Sequence, residues 1–246
     1  MEDIKFGLKL WSTNIEFIEE AQGLINDDYF DYIELTFIPV TKIIPFIKNN
    51  ISYILHMPTS NHGFNLGNDE KTVEKIKIIK KSIEWGNRLN AKYIIIHPGF
   101  GSLDKSKEIL KNIDDDRFII ENMPKIGIKN QKMLGYNPLQ IKDLKMNKFG
   151  FCFDLNHAIK ASISLNEDYK EFINKFSKIK PNMFHISDGK LNTQIDEHLP
   201  IGDGDYDWQF LIDYIKKSSC KYVTLETPRK TLKDDLKNLK KIKKYV

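Results

Sequence analysis

Short runs of apolar and β-branched residues recur along the chain, and the spacing between them leaves room for helices. Each run has the length of a β-strand. The runs lie at 4–10, 32–36, 51–56, 93–97, 118–122, 150–154, 183–187 and 222–226. The residues before His97 and before Glu121 are apolar at successive positions, which is typical of parallel strands buried on both faces.

The segments between these runs carry the three-to-four-residue spacing of amphipathic helices. In the clearest one, 69–89, the residues predicted to share a face are Val73, Ile76, Ile79, Ile83 and Trp85 or Gly86. Near the C-terminus a second apolar face is formed by Leu232, Leu236, Leu239 and Ile242. Eight strands alternating with helices, without a Pro/Gly/Ser-rich linker, predict an α/β fold, the (β/α)₈ TIM barrel, in one domain spanning 1–246.

Composition agrees with a folded chain of this kind, because 246 residues is an ordinary length for one such barrel and 41% of them are hydrophobic. The net charge of +4 is too small to indicate a nucleic-acid partner by itself. Cys152 and Cys220 lie in or beside apolar runs and are expected to be reduced core residues. No basic leader precedes an apolar stretch and no run of 18 apolar residues occurs, so a cytoplasmic protein without membrane or obligate protein partners is expected.

Five of the six histidines lie at the ends of predicted strands or in the loops that follow them, and the sixth is His62. Those at or near strand ends are His56, His97 and His185, and those in the loops are His157 and His198. Carboxylates follow the same rule: Glu121, Asp154 and Glu226 close strands, and Asp196 lies two residues before His198. Because the carboxyl ends of the strands in a barrel meet on one catalytic rim, these nine side chains are predicted to converge there.

Convergence of four carboxylates and five imidazoles would leave uncompensated charge unless cations neutralised it. Both groups are ligands that zinc accepts, and the spacings Asp154-Leu-Asn-His157 and Asp196-Glu-His198 each bring one of each kind together in a short loop. The sequence therefore predicts a cluster of zinc or similar divalent ions at the rim.

Simpler roles compete for single members of the set and for their neighbours. A histidine after a strand, such as His56, is often only a hydrogen-bonded rim residue. Glu34 interrupts an apolar strand and is either a buried partner of a rim group or a residue facing the helix layer. Asp188, Asp203 and Asp207 lie where turns use aspartate for local backbone hydrogen bonds, and they are left outside the ligand set.

Seven phrases in chain order resemble the xylose-isomerase-like barrels, the group that includes endonuclease IV and the ketose 3-epimerases. The phrases are Ile-Leu-His56-Met-Pro, Ile-His97-Pro-Gly, Ile-Glu121-Asn-Met, Phe-Asp154-Leu-Asn-His157-Ala, Phe-His185-Ile-Ser-Asp, Asp196-Glu-His198-Leu-Pro-Ile-Gly-Asp-Gly and Leu-Glu226-Thr-Pro. The resemblance covers nearly the whole chain.

Resemblance to endonuclease IV implies a trinuclear zinc site and phosphodiester hydrolysis, as in DNA repair at apurinic or apyrimidinic sites. The implied ligands are His56, His97 and Glu121 for a first ion, Glu121, Asp154, His185 and Glu226 for a second, and His157, Asp196 and His198 for a third. Metal ions lower the pKa of bound water from ~15.7 towards ~7, which supplies a nucleophile near neutral pH. Glu121 and Glu226 are the implied catalytic proton acceptors.

Resemblance to the epimerases implies instead one manganese or magnesium ion held by Glu121, Asp154, His185 and Glu226. Glu121 and Glu226 would then be the acid and base of a sugar or sugar-phosphate isomerase. Two loops, 57–67 and 37–42, differ from the DNA-contacting loops of endonuclease IV, so the substrate is either abasic DNA or a smaller phosphate ester or sugar. A catalytically idle binding scaffold is the third interpretation, and the complete ligand set argues against it.

Overall fold

Eight parallel strands close into one barrel in which every strand pairs with its neighbours in sequence, and the last pairs with the first. The computed structural model describes residues 4–47, 50–68 and 70–246. The strands are β1 Lys5–Trp11, β2 Tyr32–Thr36, β3 Tyr53–His56, β4 Ile94–Ile96, β5 Phe118–Glu121, β6 Gly150–Asp154, β7 Met183–Ile186 and β8 Tyr222–Leu225. The predicted (β/α)₈ barrel is confirmed.

Helices surround the barrel and bury their apolar faces against it. Within the described residues they are α1 Ile18–Asn26, α2 Ile44–Ile47, α3 Thr72–Arg88, α4 Leu103–Lys111, α5 Pro138–Lys145, α6 Leu155–Leu165, α7 Tyr169–Lys175, α8 Trp208–Lys217 and α9 Leu232–Ile242. The predicted C-terminal helix is confirmed, since Leu232, Leu239 and Ile242 of α9 are buried. The predicted start of the longest helix, Asp69, lies outside the described residues, as does the start of the chain, 1–3.

Predicted strand ends differ from the observed ones by a residue or two, mainly at the carboxyl ends of the strands. His97 and Glu226 were predicted inside strands, but each is the first residue after one. The backbone N–H of Glu226 still donates to Ile186 O at 2.9 Å, so strand-like bonding extends just beyond β8. Both residues therefore start loops above the barrel, and the sheet still fixes the backbone of Glu226.

The face predicted for α3 is only partly correct. Ile79 and Trp85 are buried as expected, but Val73 is 62% exposed and Ile76 is 40% exposed. The buried stripe passes instead through Lys75, whose Nζ donates to Asn68 O and Oδ1, and through Ser82. A polar side chain that finds its hydrogen bonds locally can occupy a buried helix position, and hydrophobic spacing alone does not reveal this.

Tyr32 fills the lower barrel interior by crossing over Gly7, its partner in the β1–β2 register. The Tyr32 hydroxyl lies 3.0 Å from Thr224 Oγ1 of β8, on the far side of β1. A Cβ atom at Gly7 would lie 2.3 Å from the Tyr32 ring, closer than any real contact. Gly7 is therefore required because an aromatic ring occupies the place of its side chain.

Both cysteines are free and buried, as the sequence predicted. Among the described residues, no helix has the length and apolar character needed to cross a membrane.

We expect Gly7→Ala to destabilise the protein by about 1–3 kcal/mol, the usual cost of forcing extra volume into a packed core. Gly23→Ala is the matched control, because a Cβ there meets nothing within 4 Å and Gly23 lies within α1. Replacing a helical glycine with alanine should stabilise by about 0.5–1 kcal/mol. Urea unfolding of both variants measures the two effects, and equal stabilities would refute this account of Gly7.

Candidate metal centre

The nine predicted side chains meet at the carboxyl ends of the strands. The last residues of β3, β5 and β6 are His56, Glu121 and Asp154, and His185 lies within β7. The residues directly after β4 and β8 are His97 and Glu226. The first turn of α6 contains His157, and the loop between β7 and α8 contains Asp196 and His198. The predicted convergence on one rim is thus observed.

Glu121 lies at the centre of this arrangement. Its Oε2 is 3.2 Å from His56 Nε2 and 3.0 Å from His97 Nε2. Its Oε1 is 3.3 Å from His185 Nδ1 and 3.4 Å from His157 Nδ1. One buried carboxylate therefore has imidazole nitrogens close to both oxygens, a geometry that suits a ligand shared between two cations.

The ligand atoms fall into groups whose members all lie within 4.8 Å of one another. Three groups contain only the nine predicted residues: His56, His97 and Glu121; Glu121, Asp154, His185 and Glu226; and His157, Asp196 and His198. We call them the first, central and third groups. Each combines imidazole with carboxylate, the donor set that zinc accepts.

Two buried atoms of the central group fit a divalent ion directly. Glu121 Oε1 and His185 Nδ1 have no hydrogen-bond partner among the described residues, although both are shielded from solvent. Unsatisfied buried polar atoms are costly, and two that face each other at 3.3 Å would both be satisfied by one cation. The residues present therefore fit a metal.

Three of the histidines are oriented by backbone carbonyls. Nδ1 of His56 lies 2.6 Å from Met57 O, Nδ1 of His157 lies 2.8 Å from Asn122 O, and Nδ1 of His198 lies 2.8 Å from Glu226 O. A carbonyl only accepts, so Nδ1 is the donor in each ring, and in the neutral imidazole that binds a metal the lone pair is then on Nε2. Anchoring one ring nitrogen in this way is how proteins fix the ligating nitrogen of a histidine.

The short loop predicted between Asp154 and His157 does not exist, because α6 begins directly after β6. Asp154 is the N-cap of α6, and its Oδ1 accepts a 2.7 Å hydrogen bond from His157 N. An aspartate at this position satisfies a free N–H of the first helical turn, so the helix can begin without a loop. The same bond leaves Oδ2 of Asp154 3.4 Å from His157 Nδ1.

The loop that carries Asp196 and His198 is held by buried polar contacts. Asp196 Oδ2 lies 3.2 Å from His157 Nε2 and 2.8 Å from His198 Nε2, and its Oδ1 accepts a 2.5 Å bond from Asn156 Nδ2. Lys160 lies one helical turn after His157, and its buried Nζ donates to Glu197 Oε2 at 2.7 Å and to two loop carbonyls. Helix α6 thus supplies one histidine of the third group and fixes the loop that supplies the rest.

A buried ion-pair chain lies beneath the central group; it contains Glu34, which the sequence offered as a buried partner of a rim group, and Lys9, which sequence reasoning missed. Lys9 Nζ of β1 contacts Glu34 Oε1 at 2.5 Å and also contacts Glu226 Oε1. Glu34 faces the barrel interior rather than the helix layer, and its Oε2 accepts from His185 Nε2 at 2.8 Å. The sequence contained a signal for this pair, because Lys9 and Glu34 each interrupt an apolar strand and the two strands are neighbours. In the structure the two residues are partners in the β1–β2 register.

The pKa values of the carboxylates in and beneath the centre are shifted in different directions. Burial alone would raise the pKa of Glu121, but the adjacent His97 and His185 outweigh it and hold this pKa well below its usual range. Burial also opposes ionisation of Glu34, yet His185 and Lys9 lower its pKa to about 2. Asp154 is the exception, because burial dominates over the attraction of His157 and raises its pKa to about 6.

Two of the aspartates left outside the ligand set, Asp188 and Asp207, have structural roles. Asp188 is buried and accepts from Trp208 Nε1 at 3.0 Å and from Gly202 N at 2.7 Å. Asp207 caps α8 by accepting from Phe210 N at 3.1 Å. Neither these two nor Asp203 belongs to a metal-type group among the described residues.

A cavity of about 530 Å³ opens above the centre and leads to solvent. Its floor includes Lys9, His97 and Glu226, and part of its wall is apolar, with Trp11 and Ile128 exposed at the mouth. Residues 59–62, in the loop after β3 that departs from the endonuclease IV pattern, line another side. The centre is therefore reachable by a small molecule or by an extruded part of a larger one.

Comparison with known proteins gives relatives of two enzymatic kinds. A protein of Halothermothrix orenii named probable endonuclease 4 is 26% identical over 206 residues, which is 72% of this chain and 70% of that protein. The solved structure of a D-tagatose 3-epimerase-like protein superimposes with a TM-score of 0.76 at 21% identity, covering 98% of this chain and 97% of the other. Endonuclease IV from Thermus thermophilus superimposes with a TM-score of 0.68 at 18% identity, covering 98% of each chain.

At such identities the structural likenesses establish the fold alone. A family match is more direct: residues 45–243, most of the chain, match the family described as xylose isomerase-like TIM barrel. That span includes all nine rim residues, from His56 to Glu226. The chain therefore belongs to the xylose isomerase-like TIM barrel family.

Proposed function

We propose that this protein is a metal-dependent phosphodiester hydrolase of the endonuclease IV type that binds up to three zinc ions. Its metal ligands in this proposal are His56, His97, Glu121, Asp154, His157, His185, Asp196, His198 and Glu226. Glu121 is the ligand common to the first and central groups.

One observation carries the proposal: the third group adjoins the other two, and hydrogen bonds fix its three side chains as they fix His56 of the first group. His157 Nδ1 lies 3.4 Å from Glu121 Oε1, while its Nε2 faces Asp196. A sugar epimerase with one ion has no chemical use for a further His-Asp-His group beside its metal. A phosphodiesterase does, because several cations can stabilise the attacking oxygen, the leaving oxygen and the phosphoryl charge together.

Divalent ions bound here would polarise phosphate oxygens and make water acidic enough to attack phosphorus near neutral pH. The protein's own contribution is orientation. Backbone carbonyls fix three imidazoles, Asn156 fixes Asp196, and burial excludes water from around Glu121. Lys9 lies at the cavity floor, where its ammonium pairs with Glu226 and holds that carboxylate in place.

For the substrate we propose abasic DNA or a smaller phosphate ester. Support for DNA comes from the relatives named endonuclease 4. Support for a smaller ester comes from the cavity of about 530 Å³ and from the modest net charge of +4, since tight DNA binding usually needs a strongly basic surface. Either substrate would present a phosphodiester to the same rim.

A second candidate, a sugar or sugar-phosphate epimerase with one manganese or magnesium ion, is favoured by a separate observation. The central group alone supplies four ligands, and Glu121 and Glu226 both belong to it, as an acid and base flanking one ion would. In that case His56, His97 and Asp196 would bind substrate or orient other ligands.

We expect elemental analysis of the purified protein to find close to three zinc ions per chain, and close to two in His157→Ala, because that change removes a ligand of the third group only. His62→Ala is the control, since His62 lies at the cavity mouth outside the three groups and should retain the wild-type metal content. One manganese or magnesium ion in the wild type would instead support the epimerase.

Incision of abasic-site DNA and hydrolysis of bis(p-nitrophenyl) phosphate should both be abolished by a chelator and restored by zinc. We expect His157→Ala to slow hydrolysis by about 10²–10³-fold, the usual effect of losing one electrostatic stabiliser of a transition state. His62→Ala should stay within a few-fold of wild type. Metal-dependent ketose epimerisation without cleavage of either phosphodiester would contradict the proposal.

A further inference from the structure

His185 is held differently from the three histidines that donate to backbone carbonyls. Its Nε2 lies 2.8 Å from a carboxylate oxygen, Glu34 Oε2, and its Nδ1 faces the central group. Nδ1 lies 3.3 Å from Glu121 Oε1 and 3.2 Å from Glu226 Oε1. The nitrogen available to a metal is therefore Nδ1 in His185, whereas it is Nε2 in His56, His157 and His198.

Glu34 is in turn fixed by Lys9. Lys9 Nζ lies 2.5 Å from Glu34 Oε1, which leaves Glu34 Oε2 as the oxygen that faces His185. The side chains of Glu34 and His185 are both inaccessible to solvent, and that of Lys9 is only 10% exposed. Water therefore has little opportunity to replace these contacts.

We propose that Glu34, held by Lys9, is a positioning residue that directs the Nδ1 lone pair of His185 into the central group. A neutral imidazole carries one N–H, and a carboxylate can only accept, so the proton is kept at Nε2 and Nδ1 remains free to bind a cation. The inference rests on the proposed metal centre and adds to it a residue outside the nine ligands. A carboxylate that accepts from a ligating histidine also strengthens that ligand as a base.

Glu34→Gln tests this role with almost no change in shape. Because the Lys9 ammonium can only donate, it should bind the new amide oxygen and turn the amide NH₂ towards His185 Nε2. Nε2 would then have to accept, which moves the imidazole proton to Nδ1, the atom that faces the ion. The variant thus replaces the supporting contact with an opposing one.

We expect Glu34→Gln to weaken binding of the central ion about 10–100-fold, the usual effect of removing such a supporting contact. Titration of metal-free protein with Co²⁺, followed by visible absorption and calorimetry, measures this. The control is Asp115→Asn, which also converts a carboxylate paired with a cation, Arg117, but just before β5 at the opposite end of the barrel. It should bind Co²⁺ like the wild type, and Glu34→Gln binding equally well would overturn the proposal.

A measurement on the unaltered protein keeps the test independent of how the variant folds. In protein labelled with ¹⁵N-histidine and loaded with ¹¹³Cd²⁺, we expect metal–nitrogen coupling at Nδ1 of His185 and at Nε2 of His157 and His198. His185 should keep its proton on Nε2. Coupling through Nε2 of His185 would refute the role of Glu34 while leaving the metal centre intact, whereas absence of any cadmium at the central group would refute the proposed function as well.

Discussion

The buried carboxylate of Glu121 is the constraint around which the rim is organised. It is the last residue of a strand in the closed barrel, and four imidazoles from β3, β7, α6 and the residue after β4 approach its two oxygens within 3.0–3.4 Å. An ionised group in such a place is costly unless it is compensated. The surrounding histidines and the lysine below them provide part of that compensation, and the unsatisfied atoms His185 Nδ1 and Glu121 Oε1 are the two that a cation would satisfy.

Polar and charged groups that hold the rim side chains lie both beneath the rim, in the barrel core, and above it, towards the solvent. Beneath the rim, Lys9 and Glu34 form a charged pair whose free oxygen reaches His185. Above it, Asn156 and Lys160 of α6 fix the loop that brings Asp196 and His198 over the strand ends. Rigid elements below and a tethered loop above give a preorganised set of donors, which is what metal binding and electrostatic catalysis both need.

The two chemistries proposed for this rim differ in the number of ligand groups that they need rather than in the fold. The central group would suffice for a one-metal sugar enzyme, and the D-tagatose 3-epimerase-like structure shares the architecture. The first and third groups adjoin that centre, and both approach Glu121. Fold similarity does not decide between the two chemistries, because function depends on the side chains placed on the barrel.

Much of this could be read from the sequence. Apolar runs separated by helical segments predicted the barrel, and polar residues at the strand ends, such as His56 and Glu121, predicted the rim at which the nine side chains meet. Both follow from local patterns, since every parallel strand points its carboxyl end to the same rim. The Asp154 cap and the exposed Val73 face were misjudged, because spacing does not show where a helix begins or which polar residue finds a local partner.

Only the tertiary structure decided which atoms face each other. Lys9 and Glu34 lie 25 residues apart, and Glu34 and His185 lie 151 apart, so their contacts depend on strand register and barrel closure. The ring nitrogen that a rim histidine turns towards its neighbours is likewise set by what the opposite nitrogen touches, such as Asn122 O for His157. The sequence thus determined the elements and the residues of the rim, and packing across the closed barrel determined their orientation, because hydrogen bonds between distant strands have no local signature.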